Sequence, residues 1–350
     1  MMQNSLNILA WERFKKNKLA ILALIFLLGS FLIAIFAVFF STDKTPMANQ
    51  MHLEISMKEP LDVVFFLETP NKNNTKSTFL KDIIFGKPSN VDQIPLTSFS
   101  YLEKGIEYQT YDSKEQQKYY GEYKISKKIF WLGTDKYGRD LFSRIIHGIR
   151  VSFSVGFIAV FLSLIIGINL GLMAGYFGGR VDDLIMWFVN VIWSIPTLLI
   201  VITITLVLGK GFWQLFIAIG LTMWVEVARI VRGQVLIVRE LEYIEAGKAL
   251  AYKSWRIIFK HIFPNVIAPI IIISVANFAS AILIESGLSF LGIGVQPPLA
   301  SLGGLIKDHY SYIILDKAYL AIFPGIVIIL LVLSLMILGN GLRDAFDVKN

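Results

Sequence analysis

Long apolar stretches are the feature that most limits what this chain can fold into. Runs of about twenty residues with few charges recur along it, and a helix of that length crosses the hydrocarbon core of a bilayer. With 55% apolar residues and a mean hydropathy of +0.61, the chain is too apolar for a soluble protein of 350 residues. We therefore expect an all-α membrane protein with six transmembrane helices. They are predicted at about residues 19–40, 151–175, 184–208, 213–232, 266–293 and 318–339.

The same pattern divides the chain into three parts. Residues 1–40 form a basic amino-terminal arm and the first transmembrane helix. Residues 41–130 are polar and proline-containing, with short strands predicted at 63–67 and 122–125, although no alternation there is strong. Residues 131–350 hold the other five predicted spans.

Composition excludes several classes of function. The chain has no cysteine, so neither a disulfide framework nor a thiolate metal site is possible. Its four histidines are scattered, and no Gly-x-x-x-x-Gly-Lys-Ser/Thr loop is present. The net charge of +7 arises from basic residues at the ends of apolar spans rather than from a nucleic-acid-binding patch. We therefore predict no catalytic site, no metal, no cofactor and no nucleic-acid partner.

Basic residues also predict the orientation in the membrane. The amino-terminal arm and residues 229–261 are rich in lysine and arginine, whereas the short link 209–212 carries only Lys210. Short basic loops remain in the cytoplasm. Both termini and the stretch 239–264 are thus predicted to be cytoplasmic, and the insert 41–130 extracytoplasmic.

Some residues inside the spans have predicted roles. Pro196 should kink the third span, with Ser194 and Thr197 available to bond the freed carbonyl. Four glycines of the second span fit close helix packing in lipid. They are Gly156, Gly167, Gly171 and Gly175.

Two acidic residues lie near predicted span ends. An acid inside a membrane is a functional candidate, but the more economical interpretation places Glu226 and Glu285 at the interface. Glu226 is then expected to pair with Arg229 or Arg232.

The stretch 239–264 is a charged island between apolar spans. It predicts two short helices, at 240–251 and 254–262, closed by Pro264. Leu241, Ile244 and Ala249 should share one side of the first helix, and Trp255, Ile257, Ile258 and Ile262 should face the membrane from the second. Charge alone favours a loop lying on lipid headgroups.

The spacing in this stretch resembles the EAA loop of ATP-binding-cassette importer permeases. That pattern reads Glu-Ala-Ala, three residues, Gly, nine residues, then Ile-x-Leu-Pro, and this chain departs from it with Ala251 at the glycine position. Further segments resemble the peptide and nickel branch, at 132–135, 138–141, 175–179, 285–292, 323–325 and 341–345. The positions of the loop pattern in this chain are Glu245, Ala246, Gly247, Ala251, His261 and Pro264.

The resemblance implies a type I importer permease fold in a bacterial inner membrane. It implies a heterodimer with a related permease, two cytoplasmic ATPase subunits that bind the ATP, and an extracytoplasmic substrate-binding protein. The loop 239–264 would dock on an ATPase, and the most frequent substrate class is di- or oligopeptides. Alternatives are a nickel or other solute importer of this branch, a secondary transporter driven by an ion gradient, and a membrane anchor with an extracellular domain.

Overall fold

The structure is a computed structural model that describes residues 2–71, 82, 86–113, 115–209 and 211–347. Lys210 of the link 209–212 lies outside these residues, as do parts of the insert. The helices within the described ranges are numbered here in chain order. They are α1 (Met2–Lys16), α2 (Lys18–Ile35), α3 (Ala37–Phe40), α4 (Leu141–Phe177), α5 (Gly179–Trp193), α6 (Thr197–Leu208), α7 (Phe212–Arg239), α8 (Glu242–Ala249), α9 (Ser254–Ile257), α10 (Phe263–Phe290), α11 (Leu302–His309) and α12 (Tyr319–Phe346).

Among the described residues, five helices are long and apolar enough to cross a membrane. The pair α5 and α6 supplies a sixth span if it is counted as one broken helix, bent by 88°. This break occurs at the predicted kink, because Pro196 cannot donate a backbone hydrogen bond. Ser194 donates its hydroxyl to the Val191 carbonyl at 2.7 Å. The predicted helical membrane fold is confirmed. The five qualifying helices are 18–35, 141–177, 212–239, 254–290 and 319–346.

The chain divides into two compact units, the first comprising Met1–Ser30, Ser152–Gln296 and Ile328–Asn350. Helices α4 and α7 make a close contact within this unit. A Cβ atom at Gly167 would lie 2.6 Å from the Val227 side chain, and one at Gly171 would lie 2.7 Å from the Ala228 carbonyl oxygen. The prediction that these glycines permit close helix packing is confirmed.

The second unit comprises Phe31–Val151 and Pro297–Val327 and contains an antiparallel sheet. The sheet is built entirely from the predicted insert and adds to the helical class. The strand order is β4-β3-β2-β1-β5. The predicted strand at 63–67 lies within β1, and the one at 122–125 overlaps the start of β5. The strands are β1 (Asp62–Pro70), β2 (Val91–Leu102), β3 (Gly105–Thr110), β4 (Gln117–Tyr119) and β5 (Lys124–Phe130).

Apolar clusters lie on both faces of this sheet. Val64, Phe66 and Phe130 pack with Ile55 on one face, whereas Leu67, Leu96, Ile106 and Tyr108 form the other cluster. Successive strand residues point to opposite faces, so one strand contributes to both.

A buried polar turn precedes α4 in the second unit. Asp135 accepts hydrogen bonds from the backbone N–H groups of Tyr137 and Arg139, and from Arg139 Nε at 2.6 Å. Gly138 has a φ of +69°, and a Cβ atom there would collide with the backbone of His52. The turn therefore requires glycine at this position.

Candidate functional site

The stretch 239–264 forms an elbow between the long helices α7 and α10. Helix α8 begins three residues beyond Arg239, where α7 ends, and a short turn leads to α9. From α9 the chain passes through one π-helical segment, Ile258–Ile262, directly into α10. Pro264 lies in the first turn of α10 as predicted. It does not separate the second short helix from the span, because proline is tolerated in the first turn of a helix.

The turn between the two short helices is closed by a backbone motif. The N–H of Tyr252 donates to the Gly247 carbonyl at 3.1 Å, and the N–H of Ala251 donates to the Lys248 carbonyl at 2.9 Å. Ala251 has a φ of +55°. These two bonds and a left-handed residue form a Schellman cap. The bend therefore exists although alanine stands where the resembling family has glycine.

Apolar side chains fix the inner side of the elbow. Ile244, Ile257, Ile258 and Ile262 are buried in one cluster with valines of α7 and the start of α10. Ile257, Ile258 and Ile262 pack against other helices of the chain, so the prediction that they face the membrane is wrong. The prediction that Leu241, Ile244 and Ala249 share one side of the first helix is also wrong, because only Ile244 is buried. Leu241, Ala249 and Trp255 are exposed.

Arg239 ties the elbow to the end of α4. Its guanidinium donates to the Gly175 carbonyl at 3.0 Å and to the Tyr176 carbonyl at 3.4 Å. A basic side chain at the carboxyl end of a helix meets carbonyls that lack helical partners. The contact joins the ends of α4 and α7, and sequence reasoning gave no sign of it beyond the charge of Arg239.

A second tie joins α8 to α10. Asn265 donates its amide to the Tyr243 hydroxyl at 3.1 Å and to the His261 carbonyl at 2.6 Å. Burial raises the pKa of Tyr243, and the hydrogen bond from Asn265 acts in the opposite direction. The phenol is therefore neutral at physiological pH. Sequence reasoning missed both residues, since neither belongs to the motif.

Aromatic stacking supports the turn itself. The Tyr252 ring lies 6.1 Å from the His261 ring, stacked at 17°, and the Arg256 guanidinium carbon lies 4.1 Å from the centre of the Tyr252 ring. His261 thus has a structural place beside the bend.

The outer side of the elbow carries the rest of the motif. Glu245 and Ala246 are exposed on α8, and Gly247 is buried against Tyr252. Within the part of the chain that the structure describes, Glu245 has neither a hydrogen-bond nor a salt-bridge partner. The elbow therefore presents a small-residue surface with a free carboxylate, held on a rigid base.

The two acidic residues of the spans differ from their predicted setting. The predicted pairing of Glu226 with Arg229 or Arg232 is wrong, because Arg232 binds Asp182 with two hydrogen bonds and Arg229 stacks on Trp193. Glu285 is fully buried in α10 and accepts a hydrogen bond from Ser289 at 2.7 Å.

Two family models match the chain. Residues 167–349 match the binding-protein-dependent transport system inner membrane component. Residues 5–57 match the N-terminal TM domain of oligopeptide transport permease C. The first match covers more than half of the chain, and the second covers the arm and the first span. The resemblance inferred from the sequence motifs is confirmed.

Curated relatives extend the similarity to almost the whole chain. The dipeptide transport system permease protein DppC of Lactococcus lactis is 33% identical and aligns over 97% of this chain and 90% of its own length. The DppC protein of Alkalihalophilus pseudofirmus is 42% identical over 63% of this chain and 72% of its own. The glutathione transport system permease protein GsiD of Pectobacterium atrosepticum is 37% identical over 63% and 72%.

Among solved structures, a chain of the MetNI methionine ABC transporter in an inward-facing conformation is similar, with a TM-score of 0.49. It is 16% identical over 60% of this chain and 98% of that chain. The family model, the full-length relative and the order of the spans agree with one another. This chain belongs to the family of binding-protein-dependent transport system inner membrane components.

Proposed function

We propose that this chain is a transmembrane permease subunit of an ATP-driven, binding-protein-dependent importer of dipeptides or oligopeptides. Its family supports the transport role. Relatives that carry dipeptide and oligopeptide permease names, at up to 42% identity, support the substrate class. The substrate passes between this chain and a second, related permease.

The partners follow from the same proposal. Two ATPase subunits in the cytoplasm bind and hydrolyse the ATP, and a separate extracytoplasmic protein delivers the peptide. The chain itself is a non-catalytic subunit that binds no cofactor. It lies in a bacterial inner membrane with both termini and the elbow 239–264 in the cytoplasm.

The observation that carries the coupling role is the free carboxylate of Glu245 on the outer side of the elbow. Glu245 and Ala246 contact the ATPase, Gly247 leaves room beneath them, and Ala251, His261 and Pro264 keep the bend in shape. Because α9 is continuous with α10 and Arg239 ties the elbow to α4, a displacement of the elbow moves whole spans as rigid bodies.

Two alternatives to this proposed function lead to different expectations. An ion-gradient transporter is not favoured, because the chain belongs to a family of binding-protein-dependent transport components. Nickel or another solute of the same branch would be carried by the same machinery, so the substrate needs its own measurement. Binding of a peptide library and of Ni²⁺ to the purified partner binding protein separates the two, and saturable binding of peptide alone supports the proposal.

Replacing Glu245 tests the coupling role. We expect Glu245→Lys to lower ATP-dependent peptide uptake at least about ten-fold, because reversing a charge in a docked contact costs more than 1.4 kcal/mol. Co-purification of the ATPase subunits should fall in parallel, while membrane insertion of the chain stays unchanged.

Glu242→Lys is the matched control, since it makes the same charge change on the same helix. We expect it to retain most of the uptake. Wild-type uptake and ATPase association in both variants would show that Glu245 is not a docking residue. An equal loss in both would assign the effect to charge in general.

A further inference from the structure

The break between α5 and α6 is the most unusual backbone feature of the spans. Ser194, Ile195 and Pro196 connect two helices at 88°, and all three residues are exposed, as is Thr197 at the start of α6. The end of one helix and the start of another both leave polar backbone groups without helical partners. Such groups are not tolerated against lipid tails and occur at membrane depth only beside protein or water. The exposed side of this break therefore does not face lipid.

The break and Glu226 lie at a similar depth. Helix α6 has 12 residues, so the break is about 18 Å from the outer end of α6. Helix α7 starts from the same side after a short link, and Glu226 lies about 21 Å along it. Both positions are thus near the middle of a hydrocarbon core of about 30 Å.

Two opposite charges without ion-pair partners lie on this part of α7. Glu226 is exposed, and the Arg229 guanidinium lies 3.4 Å from the centre of the Trp193 ring. Across the described residues, neither side chain has a salt-bridge partner. Arg232, one turn further, is by contrast neutralised by Asp182 at 2.5 Å. Stacking on Trp193 holds Arg229 in place and leaves its N–H donors for another acceptor.

We propose that the exposed side of the α5–α6 break, with Trp193, Glu226 and Arg229, lines the transport path. Arg229 binds the terminal carboxylate of the passing peptide and Glu226 its terminal amine. This inference rests on the proposed function and deepens it. The alternative is that this surface contacts the partner permease. A dry interface, however, would bury both charges unpaired, at a high cost. A zwitterion satisfies both.

The dimensions fit a short peptide. Side chains three positions apart on a helix start about 5–6 Å from one another. The ends of a dipeptide or tripeptide are separated by roughly 5–10 Å, because an extended chain spans at most about 3.6 Å per residue. Long, flexible side chains one turn apart can therefore contact both ends of such a peptide at once.

Cysteine labelling tests whether the surface is wet. The chain contains no cysteine, so Glu226→Cys and Arg229→Cys each introduce a single thiol. Cells that express the complete transporter are treated with a charged, water-soluble methanethiosulfonate reagent. Phe161→Cys, on an apolar exposed part of α4, is the matched control. We expect the first two to react at least about ten-fold faster than the control, because only a hydrated thiol ionises to thiolate.

Peptide should slow the labelling at both positions when the binding protein and ATP are present. Labelling of Glu226→Cys and Arg229→Cys as slow as that of Phe161→Cys in every condition would overturn the inference, because the surface would then face lipid or a dry contact. Fast labelling that peptide does not change would show a wet surface without a peptide site and would overturn the assignment of the two charges.

Transport of a neutral-ended peptide tests the carboxylate contact. Uptake of tri-alanine and of its carboxy-terminal amide is compared in the wild type, Arg229→Gln and Arg229→Lys, with the same binding protein throughout, so that its own preference cancels. We expect the Gln variant to import tri-alanine about ten-fold more slowly, through loss of a charge-assisted hydrogen bond, with little change for the amide. The Lys variant should recover most of the loss.

The outcomes separate this inference from the proposed function. If the wild-type complex imports neither peptide with ATP, the proposed function fails. If the wild type imports tri-alanine and Arg229→Gln slows both peptides equally, or neither, the inference fails alone. Loss of the partner permease from purified Arg229→Gln complexes would instead identify a subunit contact and also overturn it.

Discussion

Ala251 shows how a single backbone conformation shapes the elbow. Its φ of +55° is a left-handed conformation, which costs an L-residue about 1–2 kcal/mol because Cβ approaches the following carbonyl oxygen. Two hydrogen bonds, from Ala251 and Tyr252 to the last turn of α8, hold the residue there. The sequence pointed to this position, because alanine replaces the glycine of the resembling pattern, but it could not show that the bend would form without glycine.

We predict that Ala251→Gly stabilises the protein by up to about 1 kcal/mol, because glycine adopts the left-handed conformation without strain. The free energy of unfolding in detergent, measured with a denaturant, checks this. Ala249→Gly is the control, since the same substitution inside α8 should destabilise by about 1 kcal/mol. Equal destabilisation by both substitutions would contradict the expectation.

Helix α4 depends on glycine for a different reason. Gly167, Gly171 and Gly175 lie along one side of it, and the added Cβ atoms would lie 2.6–2.7 Å from atoms of α7. Spacing alone predicted that these glycines permit a close approach. It could not identify α7 as the partner, because the choice of partner depends on the packing of all the spans.

At this contact we predict that Gly171→Ala destabilises the protein by about 1–3 kcal/mol, since the Ala228 backbone must move to admit a methyl group. The melting temperature of the purified complex in detergent is the measurement. Gly233→Ala in α7 is the matched control, because a Cβ atom there meets nothing within 4 Å, and alanine is the better helix former. The prediction fails if the two variants have the same melting temperature.

Across the whole molecule, hydropathy predicted the spans, and Pro196 predicted the position of the main kink. Pattern reasoning did not predict strands β2, β3 and β4, because β2 and its neighbours show irregular burial instead of a clean alternation. It also placed Ile257, Ile258 and Ile262 toward the membrane instead of inside the protein, since a four-residue helix shows too little of its period. The cross-ties from Arg239 and Asn265 lie outside any motif and depend on tertiary packing.

The proposed orientation of the whole chain leads to a topology prediction. Tyr101→Cys in β2 should react with a membrane-impermeant thiol reagent in spheroplasts, whereas Lys248→Cys in α8 should react only after the inner membrane is permeabilised. Both side chains are exposed, so access to the correct side is what the reaction reports. The reverse pattern would place the elbow outside the cell and rule out its coupling role.

The pairing of the first and last strands of the insert, β1 and β5, has an evolutionary consequence. Asp62 at the start of β1 is paired with Phe130 at the end of β5, so the chain leaves the sheet about 5 Å from where it entered. Everything between these two residues can lengthen, shorten or be exchanged without changing the spacing of the flanking segments. The family models match residues 5–57 and 167–349 and leave this part between them. The length and sequence of the sheet can therefore change among members of the family while the spans and the elbow stay the same.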